Sequence, residues 1–321
     1  MKKGIAVAGT VLVDKINVIS AYPQKGELTQ IKSISRAVGG LVPNVGIDLK
    51  KMDKDLTVYA CGKVGKDEEG DFAVSEFLRY GLDVKGLKIH PTEKTSFSDV
   101  MSVAGGERTF FTYAGASADY GADDVDFDSI DADMLHLGYF LLLDKVDNGD
   151  GEKILKKAKG KGIKTSIDLV SENSDRYSLV LPCLKYTDNL IINEIEGGKL
   201  AGISPEKKNI RKIAEKLKEK GVAERVIIHL PEFGACLSGG GYTEIPSFDL
   251  PEGYIKGATG AGDAFCAGAL YGIYKGFSDK EILEYASMTA AVSLREPDAV
   301  SGLTDFDSVR KLCKAFKRKK L

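Results

Sequence analysis

The chain has 321 residues, 43% of them hydrophobic, enough to bury a large core. Its 45 basic and 47 acidic side chains leave a formal net charge of -2, which excludes a general field for nucleic acid or an anionic membrane, so any anionic ligand must be met locally. No run approaches the roughly 18 apolar residues of a membrane span, and the N-terminal apolar stretch, cut by Asp14 and Lys15, lacks a signal-peptide cleavage pattern.

In chain order, "GIAVAGT" predicts a strand, "PNVGIDLKKM" a helix opened by Pro43, "LTVYACG" a strand, and "DFAVSEFLRYG" a helix ended by Gly81. "INVISAYPQKGELTQIKSISR" has no helical period. "SFSDVMSV" and "RTFFTYA" are β-rich runs flanking Ala104 to Glu107, a hairpin signal. A small β-lid is therefore expected from two insertions, about residues 15 to 35 and 91 to 116. Arg108 on this hairpin reads as part of a solvated face, with a substrate carboxylate or phosphate as the alternative.

From about residue 150, apolar runs alternate with helical periods, the pattern of βα units around a parallel sheet. "IKTSID" predicts a strand ending at Asp168, "NLIIN" one ending at Asn193, and "RVIIHL" one ending at Leu230. Ser204 is expected to cap a helix with Pro205 in its first turn, Ile210, Ile213, Ala214 and Leu217 on one face, and Gly221 closing it. Ser278 and Glu281 form a capping box for another helix. The basic tail Lys314 to Leu321 reads as the solvated last turn of a helix. No internal repeat or linker appears, so a single domain over residues 1–321 is expected.

Cys61, Cys183, Cys236, Cys266 and Cys313 are scattered and odd in number, unlike a disulfide framework or a zinc site, which points to a reducing cytoplasm. His90, His136 and His229 show no ligand spacing and read as ordinary core or surface histidines.

Chemistry concentrates in "KGATGAGDAF". Phe265 stands where a dinucleotide fingerprint needs glycine, and no Gly-Lys-Ser/Thr follows for a P-loop. What remains is a tight turn into a helix starting near Asp263, whose backbone N–H groups can converge on one anion. Asp263 alone is equally a first-turn acid that suits the helix dipole. Beside an anion site, however, a carboxylate suits phosphoryl transfer: Asp263 accepts a hydroxyl proton while the N–H groups of Ala261, Gly262 and Asp263 stabilise the moving phosphoryl group.

"GATGAGDAF" resembles the C-terminal signature of the ribokinase-like (PfkB) sugar kinases, usually DTxGAGD. Three further stations follow the family's order: Gly39, Gly40 and Asn44 in a GGxxxN pattern, Gly62 to Gly70 in GxVGxDxxG, and Asn193 to Glu196 in NxxE. The resemblance spans essentially the whole chain. It implies a ribokinase-like three-layer sandwich with a β-sheet lid, and ATP-dependent, Mg2+-requiring phosphorylation of a sugar hydroxyl. By the same resemblance Asp263 is the base and Gly260, Ala261 and Gly262 complete the anion hole. Asp14, Gly39, Gly40 and Asn44 would bind the sugar. Asn193, Glu196, Thr259 and Gly234 would serve the nucleotide and phosphates, with Glu196 holding the metal through water. Singly, these glycines, Asn44 and Asp14 read equally well as turn and cap residues, and Asn193 with Glu196 as a helix start.

Gly257 and Ala258 replace the Asp and Thr of the family signature, which puts potassium activation in question. Pro231 reshapes the edge before the nucleotide loop. Leu12, where ribokinases proper often carry Asn, favours a hexose such as fructose or a keto-sugar acid over ribose. A nucleoside kinase, with Phe110, Phe111 and Tyr113 at the acceptor, and a weakened sugar or nucleotide sensor are the rival readings. The resemblance also allows a homodimer through the lid, with no nucleic-acid or membrane partner.

Overall fold

The computed structural model describes residues 3–103 and 108–320. The turn expected at Ala104 to Glu107 lies outside the described residues. The chain opens with β1 (Ile5–Ala8), β2 (Leu12–Ile19), β3 (Ile31–Gly39), α1 (Leu41–Met52), β4 (Val58–Val64), α2 (Glu68–Tyr80) and β5 (Asp83–Ile89). It continues through β6 (Ser96–Val103), β7 (Arg108–Tyr113), the short α3 (Gly115–Ala118), β8 (Met134–Phe140), α4 (Gly151–Gly160), β9 (Lys164–Leu169), β10 (Asn189–Asn193), α5 (Glu194–Ala201) and α6 (Ile210–Glu219). It ends with β11 (Arg225–His229), β12 (Phe233–Ser238), β13 (Gly241–Pro246), β14 (Phe248–Asp249), α7 (Ala261–Lys275), α8 (Asp279–Ser293), α9 (Phe306–Cys313) and β15 (Lys317–Arg318).

The main sheet is nine-stranded in the order β13-β12-β11-β10-β9-β8-β1-β4-β5, parallel from β11 to β5, with β12 and β13 antiparallel at one edge. β1 (IAVA) and the middle of β10 (Leu190 to Ile192) are continuous apolar runs because both faces are covered, whereas β8 and β9 bury His136, Thr165, Ser166 and Asp168 among their apolar residues. β1 shows the division: Ile5 and Val7 enter the core shared with α1 and α7, while Ala6 and Ala8 enter the opposite core with α4 and α6. The chain forms a three-layer α/β sandwich. After β1 the chain runs outward to β4 and β5 and later returns to β8 on β1's other side, so the strand order reverses there, the place where open α/β sheets gather ligands.

β3, β2, β6 and β7 make a separate four-stranded sheet from the two segments read as lid. Its outer pairs are antiparallel, and β2 and β6 run parallel. Asp14 lies inside β2 and is not a cap residue, because the chain breaks at Gly9 (φ 145) and a second strand begins at Leu12.

Local signals explain most helix ends. Asp67 caps α2 by accepting the Gly70 N–H, and Gly81 ends it in the left-handed region. The Ser278–Glu281 capping box starts α8. Three expectations need correction. α1 begins at Leu41, with Pro43 inside its first turn, because Gly40 (φ 90) supplies the entry. Ser204 pairs with Glu206 instead of capping a helix; α6 begins only at Ile210 after a 3-10 turn over Lys207–Asn209, with its four apolar residues buried as expected. The basic tail is a helix end only at Lys314, the C-cap of α9; beyond it Lys317–Arg318 pairs antiparallel with Phe248–Asp249.

α7 and α8 make the most extensive helix contact, through small residues. A Cβ at Gly268 would sit 2.8 Å from Ala286 Cα, backbone that cannot move without parting the helices. Gly268→Val is expected to destabilise the protein by about 1–3 kcal/mol through overpacking, read as a lower urea midpoint at unchanged slope.

Candidate active site

Gly260 holds φ 78, and a Cβ there would lie 2.5 Å from Ala299 Cα, so only glycine turns the chain into α7 at this point. The helix starts at Ala261, two residues before Asp263, which puts the acid in its first turn. Ala261 N–H is engaged with Ala258 O at 3.2 Å, leaving those of Gly262 and Asp263 as the first-turn donors nearest the acid.

Asp263 is 8% exposed, and two neutral donors meet on one of its oxygens. Asn44 Nδ2 and the Tyr139 hydroxyl both donate to Oδ2 at 2.9 Å, so Oδ1 is the atom left to take a proton. Burial and then the nearby Asp168 carboxylate raise its pKa to about 7, against the opposing effect of the two donors. Asn44 comes from α1, whose start Gly40 fixes: a Cβ at Gly40 would lie 2.6 Å from Thr10 O.

Tyr139 escaped the sequence reading. It sits near the carboxyl end of β8, where the register with β9 breaks between Leu137 and Phe140, and its φ of 58 is rare for an aromatic residue. Its N–H donates to Asp168 Oδ1 at 2.6 Å, so one strained residue joins the two carboxylates. The available signal was positional: "HLGYF" ends at the same sheet edge as Asp168, Asn193 and His229.

These residues line a cavity of about 280 Å³ that holds Asp168, Glu196 and Asp263 together, with Ser171, Asn193, His229, Gly260, Gly262 and Cys266. Glu196 Oε1 accepts from Ser171 Oγ (2.9 Å) and Asn193 Nδ2 (2.8 Å), and Oε2 accepts the Asn193 N–H (3.0 Å). Asn193 and Glu196 thus do form the capping box of α5. Burial is the main reason the Glu196 pKa rises to about 7. His229 is driven down to about 4 by burial and stays neutral. Among the described lining residues there is no lysine or arginine, so three carboxylates share the cavity without a fixed countercharge. That donor set fits a hard divalent cation such as Mg2+.

Asn193, His229 and Gly262 also border a second cavity of about 630 Å³, walled by Phe248, Leu250, Ile255, Phe265 and Leu294 with Lys319 at its edge. Gly234 is not in a loop beside it: it lies in β12 opposite His229, and its open side faces the Phe265 ring. Thr259 is exposed and lines neither cavity. Asp14 lines neither cavity and lies against Gly39, where a Cβ would lie 2.6 Å from its Oδ2. Burial raises its pKa to about 6, and Arg108 acts on it in the opposite sense. At Gly257 a Cβ would sit 2.9 Å from Pro297 Cα, so the chain after α8 occupies the space a larger residue would need.

A turn that exposes helix N–H groups beside a desolvated carboxylate, at the strand ends of a doubly wound sheet, is the equipment of a phosphotransferase acting on an alcohol. The model of the pfkB family carbohydrate kinases matches residues 2–305. Ribokinase of Arabidopsis thaliana is 24% identical over 314 residues, covering 97% of this chain and 81% of the relative. A 5-dehydro-2-deoxygluconokinase of Clostridium beijerinckii is 22% identical over 302 residues, 90% of this chain and 88% of its own. The solved Arabidopsis thaliana ribokinase complexed with ribose and ATP superposes with a TM-score of 0.83 at 23% identity, over 98% of this chain and 99% of that one. The chain belongs to the pfkB carbohydrate kinase family and is a sugar kinase. Among the described residues no helix is long and apolar enough to cross a membrane.

Both buried acids have folded-state pKa values above their unfolded ones, so the folded state holds the extra protons and stability falls as pH rises from about 4 through about 7. Asp263→Asn is therefore expected to stabilise the protein at pH 8 by on the order of 2 kcal/mol and to give no gain at pH 4, read by thermal unfolding at both pH values.

Proposed function

We propose that this sugar kinase transfers the γ-phosphoryl group of ATP to a hydroxyl of a hexose or keto-sugar acid, with Asp263 as general base. The observation that carries the reading is the division of labour on Asp263: Asn44 and Tyr139 fix Oδ2, and Oδ1 is left to act from the first turn of α7. The acceptor hydroxyl gives its proton to Oδ1 as its oxygen bonds to the γ-phosphorus. The bond to the bridging oxygen breaks, and ADP leaves with the electron pair. Gly260, Gly262 and Asp263 present backbone donors to the transferring group.

Mg2+, when bound with the nucleotide, would offset phosphate charge, with Glu196 holding it through water and Asn193 steadying Glu196. The larger apolar cavity suits the nucleotide base, since it adjoins the catalytic cavity at Gly262 and Asn193. Asp14, Gly39, Gly40 and Asn44 bind the sugar. Asn44 Oδ1 is buried with no partner, an acceptor that a sugar hydroxyl would satisfy. Arg108 acts on Asp14 from β7, which supports an acceptor carrying a carboxylate, and Leu12 offers ribose no polar group. The packing of Pro297 on Gly257 supports turnover independent of potassium.

Across a panel of hexoses, pentoses, sugar acids and nucleosides, ADP release is expected on the hexose or sugar-acid class, equally with and without potassium. Asp263→Asn should lower kcat by about 10²- to 10⁴-fold with nucleotide affinity retained, and wild-type kcat/KM should fall tenfold per pH unit below about 7. Full turnover in Asp263→Asn would remove the base assignment.

The lid leaves Ile34, Phe110 and Phe111 more than half exposed, which supports a homodimer that covers this apolar sheet. Light scattering is expected to give twice the chain mass, reduced to the monomer by Ile34→Asp with Phe110→Asp.

A further inference from the structure

At the wall of the catalytic cavity, three side chains distant in sequence converge. His136 comes from β8, Asp168 from the end of β9, and Cys266 from α7. All three are buried, at 0%, 7% and 2% exposure, and their nearest ligand atoms lie within 4.8 Å of one another. His136 Nε2 is 3.4 Å from Asp168 Oδ2 and 3.4 Å from Cys266 Sγ. Tetrahedral zinc bonded to nitrogen, oxygen and sulfur sets its ligands about 3.3–3.6 Å apart, so the two separations from His136 Nε2 match, and the third pair lies within 4.8 Å.

The surroundings orient the three groups toward one point. Ser166 Oγ lies 3.1 Å from His136 Nδ1 and can accept its proton, which turns the Nε2 lone pair toward Sγ and Oδ2. Asp168 Oδ1 is occupied by the Tyr139 N–H, so Oδ2 is the free oxygen. A lone pair, a carboxylate oxygen and a sulfur facing one another away from solvent call for a proton or a cation between them. A doubly charged ion with one thiolate, one carboxylate and a neutral imidazole has no net charge. Because Asp168 and Cys266 also line the catalytic cavity, a fourth coordination position opens toward it.

The geometry points to a three-ligand site for a thiophilic divalent cation, zinc above all, formed by His136, Asp168 and Cys266 in the wall of the cavity that holds Asp263. Binding releases the Cys266 thiol proton to solvent and leaves water in the fourth position. The soft sulfur ligand separates this site from a Mg2+ position at Glu196, which offers oxygen only. The inference is independent of which sugar the enzyme phosphorylates and is read without substrate or nucleotide.

The probe is Co2+, titrated into the reduced, chelator-stripped full chain. Expected are one equivalent bound, visible bands of tetrahedral intensity, a thiolate-to-cobalt charge-transfer band, displacement by zinc, and no displacement by excess Mg2+. Cys266→Ala should abolish the charge-transfer band, Ser166→Ala should weaken binding roughly 10- to 100-fold, and Cys313→Ala, at another buried cysteine, should leave the band intact. Were Cys266→Ala to lose its fold by circular dichroism, the Ser166→Ala and Cys313→Ala pair would still decide. No charge-transfer band at one equivalent, a band that survives Cys266→Ala, or one that Cys313→Ala removes while Ser166→Ala leaves affinity unchanged would overturn the site.

Discussion

A carboxylate held out of water without a countercharge is the constraint around which this molecule is arranged. Asp263 sits in the first turn of a buried helix, faces two other acids across one cavity, and has only neutral donors on its oxygen. Such a group survives burial by binding a proton near neutral pH, and the same property lets it take a proton from a weakly acidic hydroxyl. Its partners come from remote parts of the chain, Asn44 from the first helix and Tyr139 from the strand that flanks β1. The base is therefore complete only when both halves of the sheet have assembled.

Tyr139 shows how that assembly is held. In a regular strand, neighbouring side chains point to opposite faces. The break in register near the end of β8 lets Tyr139 direct its hydroxyl at one acid and its backbone N–H at another. Its left-handed backbone conformation is disfavoured for an aromatic residue by on the order of 1 kcal/mol, and the two hydrogen bonds offset it. Asp168 is the common member of two arrangements: one oxygen steadies Tyr139, and the other faces His136 and Cys266.

Much of this was legible in the sequence, and the reasons differ by element. Strands such as "IAVA" and "NLIIN" announce themselves because central parallel strands such as these are apolar on both faces, and the glycines at 40 and 260 mark turns that no other residue makes cheaply. The order of four motifs along the chain then supplied the family. Tyr139 was invisible because a bulge has no signature in one sequence, and His136, Asp168 and Cys266 share no spacing because three separate elements supply them. The tail misled for another reason. A run of lysines suits a helix end by charge, but a strand is fixed by its partner, and Phe248–Asp249 lies some seventy residues away. Gly234, assigned to the nucleotide by resemblance, lies in β12, where the Phe265 ring leaves little room for a side chain.

That tail has a practical consequence. Lys319 is tied by its N–H to Ser247 O and by Nζ to Pro231 O, so the last turn of described chain lies along the rim of the larger cavity. Lys3, by contrast, pairs with Asp131 and Asp133 at the amino ends of the strands, across the sheet from both cavities. Any polypeptide continued past Lys319, whether an affinity handle, a fluorescent fusion or a surface tether, emerges beside that mouth, whereas the same addition ahead of Lys3 stays clear of it.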